Sequence, residues 1–271
     1  MKLKRVITSG LVALLLLSTT ALAQEPHFAH RIQTDYQQYA HIDESGFAYN
    51  IYADPDISSE IQPLNEQSSP DVLLFTFDDT PRGDNSNALQ IAQTLHQKGV
   101  SAIFLVNGMY LQTEKNRQIV KQIYDLGFEI GNHTSNHPNL RDLSYKEQYE
   151  EIASTNRMVE EITGEKPRWF RPPFGKFNMD TILICNELGL QLMTWSFGYD
   201  WMEEYQDGQA LTKISLDNEF IRSGANILMH DLPWTAQAVG AMVDGYRAKG
   251  YHIVDPYIIQ HQENSTAPLQ P

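Results

Sequence analysis

From Pro70 onward the chain repeats one alternation, a short apolar run followed by a segment of helical spacing. Val72-Leu-Leu-Phe-Thr-Phe77 is almost continuously apolar at strand length, the pattern of a strand covered on both faces. Further strand-like runs fall at 101–106, 128–130, 168–170, 190–195, 226–229 and 251–254. Helical spacing fills 86–98, 115–126, 144–162, 180–188, 209–221 and 235–248. Ser144 and Glu147 have the spacing of a capping box at the start of the third helix. About seven strand–helix units, without a fixed sequence repeat, require a parallel sheet with right-handed crossovers. Seven is one fewer than a regular (β/α)8 barrel. An open doubly wound sheet is the alternative that this alternation leaves standing.

The two ends of the chain differ from this core. Lys2, Lys4 and Arg5, the apolar stretch 11–17 and Ala21-Leu22-Ala23 form an export leader, residues 1–23, with cleavage after Ala23. An uncleaved anchor is the rival reading, but the apolar core is shorter than the ~20 residues a spanning helix needs. Residues 24–70 are polar and carry Pro26, Pro55, Pro63 and Pro70, as an irregular lead-in packed across the main domain would. The main domain is expected over 71–260, with a disordered tail at 261–271. The expectation is one exported domain, periplasmic or secreted, with no stable membrane insertion once the leader is removed. Its oligomeric state is not legible.

Charge and cysteine content narrow the partners. The formal charge is −14, and removing a leader with three basic and no acidic residues takes it to −17. Such a surface repels nucleic acid and anionic lipid. Cys185 stands alone, so no intrachain disulfide can form. Its position on the apolar face of a helix suits a buried, inert thiol. The sequons Asn132-His-Thr134 and Asn264-Ser-Thr266 receive no role.

Five short motifs follow strand-like runs, where α/β folds place their chemistry: Thr76-Phe77-Asp78-Asp79, His133-x-x-x-His137, Arg171-Pro-Pro-Phe174-Gly175, Asp200-Trp201 and Leu228-x-His230-Asp231. In order and residue type they resemble the polysaccharide deacetylases, carbohydrate esterase family four, over roughly residues 71–256. The resemblance implies a distorted, incomplete (β/α)7-type barrel in a single domain, and a hydrolase that removes acetyl groups from an acetylated glycan.

Hydrolysis of an acetamide needs an activated water, a polarised carbonyl and a proton for the departing nitrogen. A divalent metal held by three protein ligands with one open position meets the first two needs. His133, His137 and Asp79 are the candidate ligands, the two imidazoles four residues apart on one face of a helical turn. Zinc is expected, with cobalt or nickel as alternatives. Adjacent aspartates diverge if strand geometry persists, which divides their labour. The resemblance assigns the base to Asp78. Arg171 would pair with Asp78 and keep it ionised.

The resemblance also implies that the backbone N–H of Phe174 holds the oxyanion. His230 would be the general acid, with Asp200 raising its pKa. Trp201 and Leu228 would line a slot for the acetyl methyl. Two departures stand out: Thr80 follows the paired aspartates where the family has Gly, and the segment before Asp200 lacks an acidic residue that relatives carry. The reaction read from this is N-deacetylation of chitin oligosaccharide, peptidoglycan or exopolysaccharide. The alternatives are an O-acetyl xylan esterase using the same site, and an inactive glycan-binding or assembly protein.

Overall fold

The computed structural model describes residues 36–53, 59–262 and 264. The expected leader, 24–35, 54–58 and residues 263 and 265–271 of the expected tail lie outside the described residues. Two strands, β1 (Tyr49–Ala53) and β2 (Ser59–Pro63), precede the alternating core. The core then runs β3 (Val72–Thr80), α1 (Ala88–Gln97), β4 (Ile103–Val106), α2 (Glu114–Asp125) and β5 (Glu129–Asn132). It continues with α3 (Tyr145–Thr163), β6 (Trp169–Phe170), α4 (Met179–Leu188), β7 (Gln191–Leu192) and α5 (Gly208–Leu216). Next come β8 (Asn226–His230), α6 (Pro233–Ala248), β9 (His252–Ile253) and β10 (Ile259–Gln260).

The main sheet has the order β7-β6-β5-β4-β3-β8, and β9 pairs with the start of β3. Every pairing in it is parallel, so each strand's C-terminal end lies on the same side. This is the distorted, incomplete (β/α)7-type barrel, not an open doubly wound sheet. Among the described residues no regular ladder joins β7 to β8 to close the ring. The irregular segment after β7 bridges instead: Ser196 N–H donates to the Asn226 carbonyl (2.7 Å), and Leu228 N–H to that of Phe197 (2.9 Å). β7 is two residues long, shorter than its apolar run, because this segment turns away to span the gap. α5 likewise ends at Leu216, before the expected 221.

Strand β3 shows how the sequence sorts its faces. Leu73, Phe75 and Phe77 face the helices in the largest apolar cluster, where Phe77 stacks on Phe104 with ring centres 5.0 Å apart. Val72 and Leu74 face inward with Ile103, Leu105, Trp169 and Met193. The inward face continues through Thr76 to Asp78, so the same period-2 alternation that builds the core delivers a carboxylate to the barrel's C-terminal end. Each fully buried Phe or Leu contributes about 1.5–3 kcal/mol. Ser144 and Glu147 form the capping box of α3, and Gly164 ends that helix in the left-handed conformation (φ 83°).

The segment read as an irregular lead-in contains a β-hairpin. β1 and β2 are antiparallel and β1 pairs in parallel with β10, forming a three-stranded sheet. Tyr49, Ile51 and Ile61 from this sheet complete the inward apolar cluster at the start of β3. Ile61 N–H donates to the carbonyl of Gly224, just ahead of β8. The hairpin therefore stoppers the N-terminal end of the barrel, opposite the end that carries Asp78. Short runs interrupted by Pro55 and Pro63 hid it.

Residues 261, 262 and 264 of the expected tail are held against the β7 edge. Asn264 Oδ1 accepts from Leu192 N–H (2.8 Å), and its Nδ2 donates to the Leu190 carbonyl (2.7 Å). Cys185 is free and buried, and burial pushes its thiol pKa up. Asn132 and Asn264, the two sequon asparagines, are both buried. Among the described residues, no helix is long and apolar enough to cross a membrane.

Candidate metal centre and active site

The C-terminal strand ends bring polar residues of all five motifs to one place. At Asp79 the backbone turns left-handed (φ 57°), and the pairing of β3 with β4 shifts register between Phe77 and Thr80. Strand geometry is therefore interrupted at Asp79, and the two carboxylates do not diverge across the sheet. Asp78 stays on the inward face, while Asp79 swings toward the histidines. Thr80 does not carry the positive φ. Its Oγ1 donates to the Leu105 carbonyl (3.1 Å) and anchors the strand end.

His133 and His137 do not lie on a helical turn. They flank a loop with two left-handed residues, Thr134 (φ 67°) and His137 (φ 57°), which turns both rings toward Asp79. His133 Nε2 lies 3.9 Å and His137 Nε2 3.7 Å from Asp79 Oδ1. One ligand atom from each residue fits within 4.8 Å of the others, the spread of a set that can share one ion. Asp79 Oδ1 is buried and makes no hydrogen bond, so a carboxylate oxygen faces two imidazoles with no proton donor satisfying it. That is the donor set and the orphaned acceptor that a divalent cation suits. His133 Nδ1 is 2.7 Å from the Arg171 carbonyl, which leaves Nε2 as the free ring nitrogen. Burial, reinforced by His133, lowers the pKa of His137 and so favours the neutral ring that a ligand needs.

Arg171 is fully buried, which a cation tolerates only when paired and hydrogen-bonded. Its Nη1 donates to Asp78 Oδ1 (2.7 Å) and Thr76 Oγ1 (2.9 Å). Its Nη2 donates to the Thr194 carbonyl (3.0 Å) and Asn226 Oδ1 (3.2 Å). The guanidinium lies over the Trp195 ring, 5.9 Å from its centre. Burial alone would raise the pKa of Asp78, but the charges of Arg171, His133 and His230 and the Arg171 hydrogen bond outweigh it and hold the carboxyl low. Thr194 and Asn226 stand outside every motif and Thr76 opens the first without a role assigned to it, so only the packed geometry reveals what they do. Ser59 of the hairpin reaches this cage too, accepting from Thr194 N–H (2.8 Å).

On the facing side, His230 Nδ1 is 2.8 Å from Asp200 Oδ1. Asp200 Oδ2 accepts from the His230 N–H (2.5 Å) and from Thr235 Oγ1 (2.7 Å) in the first turn of α6. A carboxylate is favoured at a helix N-terminus, so the chain holds Asp200 firmly despite the short fourth motif. Burial pulls the His230 pKa down, yet the hydrogen bond and charge of Asp200, with smaller help from Asp78 and Asp79, leave it raised. Asp231 turns away from this group. It accepts from Arg82 N–H (2.7 Å), Ser86 Oγ (2.5 Å) and Asn87 N–H, tying the loop before α1 to the end of β8.

The expected substrate-contacting residues rim this group. Phe174 is 59% exposed, with φ 60° and its ring 4.7 Å from that of His137. Trp201 is 42% exposed and edge-on to His230, with ring centres 5.5 Å apart. Leu228 is buried, two residues before His230 and so on the same face of β8.

The model of the polysaccharide deacetylase family matches residues 65–193, which include the paired aspartates, the histidine loop and Arg171. The chain belongs to the polysaccharide deacetylase family. It is 30% identical over 186 residues to YlxY, an uncharacterized protein of Bacillus subtilis, covering 68% of this chain and 56% of that one. It is 31% identical over 188 residues to a peptidoglycan-N-acetylglucosamine deacetylase of Bacillus cereus, covering 67% and 66%. Among solved structures it resembles BA3943, a family-four pseudoenzyme of Bacillus anthracis, with a TM-score of 0.61 and 28% identity over 68% of this chain and 63% of that one. The chain spans about half the length of YlxY and a smaller share of several longer curated relatives.

Proposed function

We propose that this member of the deacetylase family is an exported, metal-dependent hydrolase that removes acetyl groups from N-acetylated sugar units of a glycan. One observation carries the reading. The Asp79–His133–His137 cluster lies beside a buried carboxylate of lowered pKa, Asp78, whose register partner on β8 is a histidine of raised pKa, His230. In this reading a divalent cation held by Asp79, His133 and His137, with zinc preferred and cobalt or nickel as substitutes, supplies Lewis acidity to the attacking water and the acetyl carbonyl.

The chain's own groups move the protons. Asp78, kept ionised by Arg171, accepts a proton from the attacking water. The Phe174 N–H is a fixed donor for the developing oxyanion and cannot be titrated away. His230, protonated through its contact with Asp200, delivers a proton to the departing nitrogen as the tetrahedral intermediate collapses. Trp201 and Leu228 bound the acetyl methyl, and Phe174 presents an apolar rim to the sugar. The same donors could expel an alkoxide, so an O-acetyl xylan esterase is the enzymatic rival.

Likeness to a pseudoenzyme raises the alternative of a glycan-binding protein without turnover. Against it, the three ligands, the base, the acid and both supporting charges are all present here. Acetate release in added zinc, from chitin oligomers, peptidoglycan and acetylated xylan side by side, tests the reading and names the glycan. Release from a glycan carrying only O-acetyl groups would replace it with the esterase. Zinc binding without release from any of the three would favour the binding protein.

A further inference from the structure

We infer that Glu151, which lies on α3 outside every motif, is a positioning residue that sets the metal-ligand geometry of His137. This rests on the metal site proposed above. The histidine loop is not held by its own secondary structure. It makes a non-helical path through two left-handed residues, one of them the β-branched Thr134, a conformation such side chains avoid. A loop like that keeps one shape only when its surroundings over-determine it.

Glu151 is the side chain that grips the loop's middle. Its Oε2 accepts from Ser135 N–H (3.0 Å) and Asn136 N–H (2.8 Å), and its Oε1 from Asn136 Nδ2 (2.7 Å). Three donors on one carboxylate span the two residues that immediately precede His137. Charge-assisted bonds of this kind are shorter and roughly twice as strong as neutral ones. Elsewhere the carbonyls of Thr134 and Ser135 accept from Gly108 N–H (3.1 Å) and Met109 N–H (2.7 Å), and Thr134 N–H donates to Asn132 Oδ1 (2.8 Å). His137 N–H then closes onto Thr134 Oγ1 (3.1 Å).

The two histidines are therefore set differently. His133 is fixed directly, by the Arg171 carbonyl on its ring and by Asn107 Nδ2 on its own carbonyl (2.6 Å). His137 inherits its place from the loop, and so from Glu151. Loss of this carboxylate should loosen one ligand of three and leave the strand-borne residues where they are.

The test is zinc affinity of the metal-free full chain, by competition with a chromogenic chelator, alongside its thermal melt. Glu151→Ala is expected to bind zinc about 10–100-fold more weakly, the range seen when partners of metal ligands are removed. Glu151→Gln, whose single carbonyl oxygen can still take both backbone N–H groups, should fall between it and the wild type. Both metal-free variants should melt cooperatively near the wild-type temperature, and saturating zinc should restore kcat. Unchanged affinity in Glu151→Ala would overturn the inference. So would an affinity loss accompanied in both variants by loss of the cooperative melt, which would make Glu151 a fold residue. Wild-type protein that takes up no divalent ion would sink the site reading itself, and this inference with it.

Discussion

Asp78 and His230 are register partners on adjacent parallel strands, β3 and β8. The two residues assigned to proton transfer thus come from neighbouring positions on one rigid ladder, each turned toward a different stabilising charge. Arg171 keeps the first ionised and Asp200 favours protonation of the second. Opposite shifts in adjacent groups divide base from acid near neutral pH.

This division has a signed pH signature. The folded pKa of His230 is raised, so its acid form persists into more alkaline solution and activity falls as pH rises through that value. Asp200→Asn removes the hydrogen bond to a carboxylate and the charge together, and should move the alkaline limb to lower pH. His230→Ala should lower kcat about 10²–10⁴-fold. The same shift makes a contribution to stability that is complete below the unfolded value of about 6.5 and is lost as pH rises through the folded one. A pH–rate profile of the wild type and Asp200→Asn decides the matter, and superimposable alkaline limbs would remove Asp200 from the account.

Arg171 and Asp78 should be interdependent in stability. Arg171→Met strands a buried carboxylate and is expected to destabilise the fold by about 3–5 kcal/mol. The double variant Arg171→Met with Asp78→Asn should recover a substantial part of that loss, because no buried charge is left unpaired. Urea unfolding of the four proteins gives the coupling. Simple additivity of the two single effects would show that the pair acts independently.

Gly198 is expected to tolerate no side chain. A Cβ there would meet the Leu228 carbonyl oxygen at 2.3 Å and the Trp201 ring at 2.6 Å. Gly198→Ala must therefore displace either β8 or the aromatic beside His230, with about 1–3 kcal/mol of overpacking. We expect a lower melting temperature together with a lower kcat/KM. Wild-type values of both would mean that this wall yields freely.

The alternation of apolar runs and helical spacing made the seven core strands and six helices legible, because burial on both faces of β3 and β4 leaves few polar interruptions. The hairpin at Tyr49–Pro63 was not legible: its strands are five residues long, and β1 is completed by pairing with β10 near the other end of the chain. At the site, residue types and spacing named the groups but not their geometry. The His133–His137 interval of four suggested a helical turn, whereas the loop, with positive φ at Thr134 and His137, is hydrogen-bonded by Glu151 and by the backbone of Gly108 and Met109, none of which stands near the motif in sequence. Thr76, Thr194 and Asn226 become functional candidates only when β3, β8 and the segment after β7 converge on Arg171.

The most direct test of the account is a paired measurement of zinc binding and acetate release in Asp78→Asn and Asp79→Asn. We expect Asp78→Asn to bind one zinc with close to wild-type affinity while releasing little acetate. Asp79→Asn should lose affinity and activity together. Wild-type turnover by Asp78→Asn, or zinc binding by Asp79→Asn undiminished from the wild type, would contradict the division between base and ligand on which the mechanism stands.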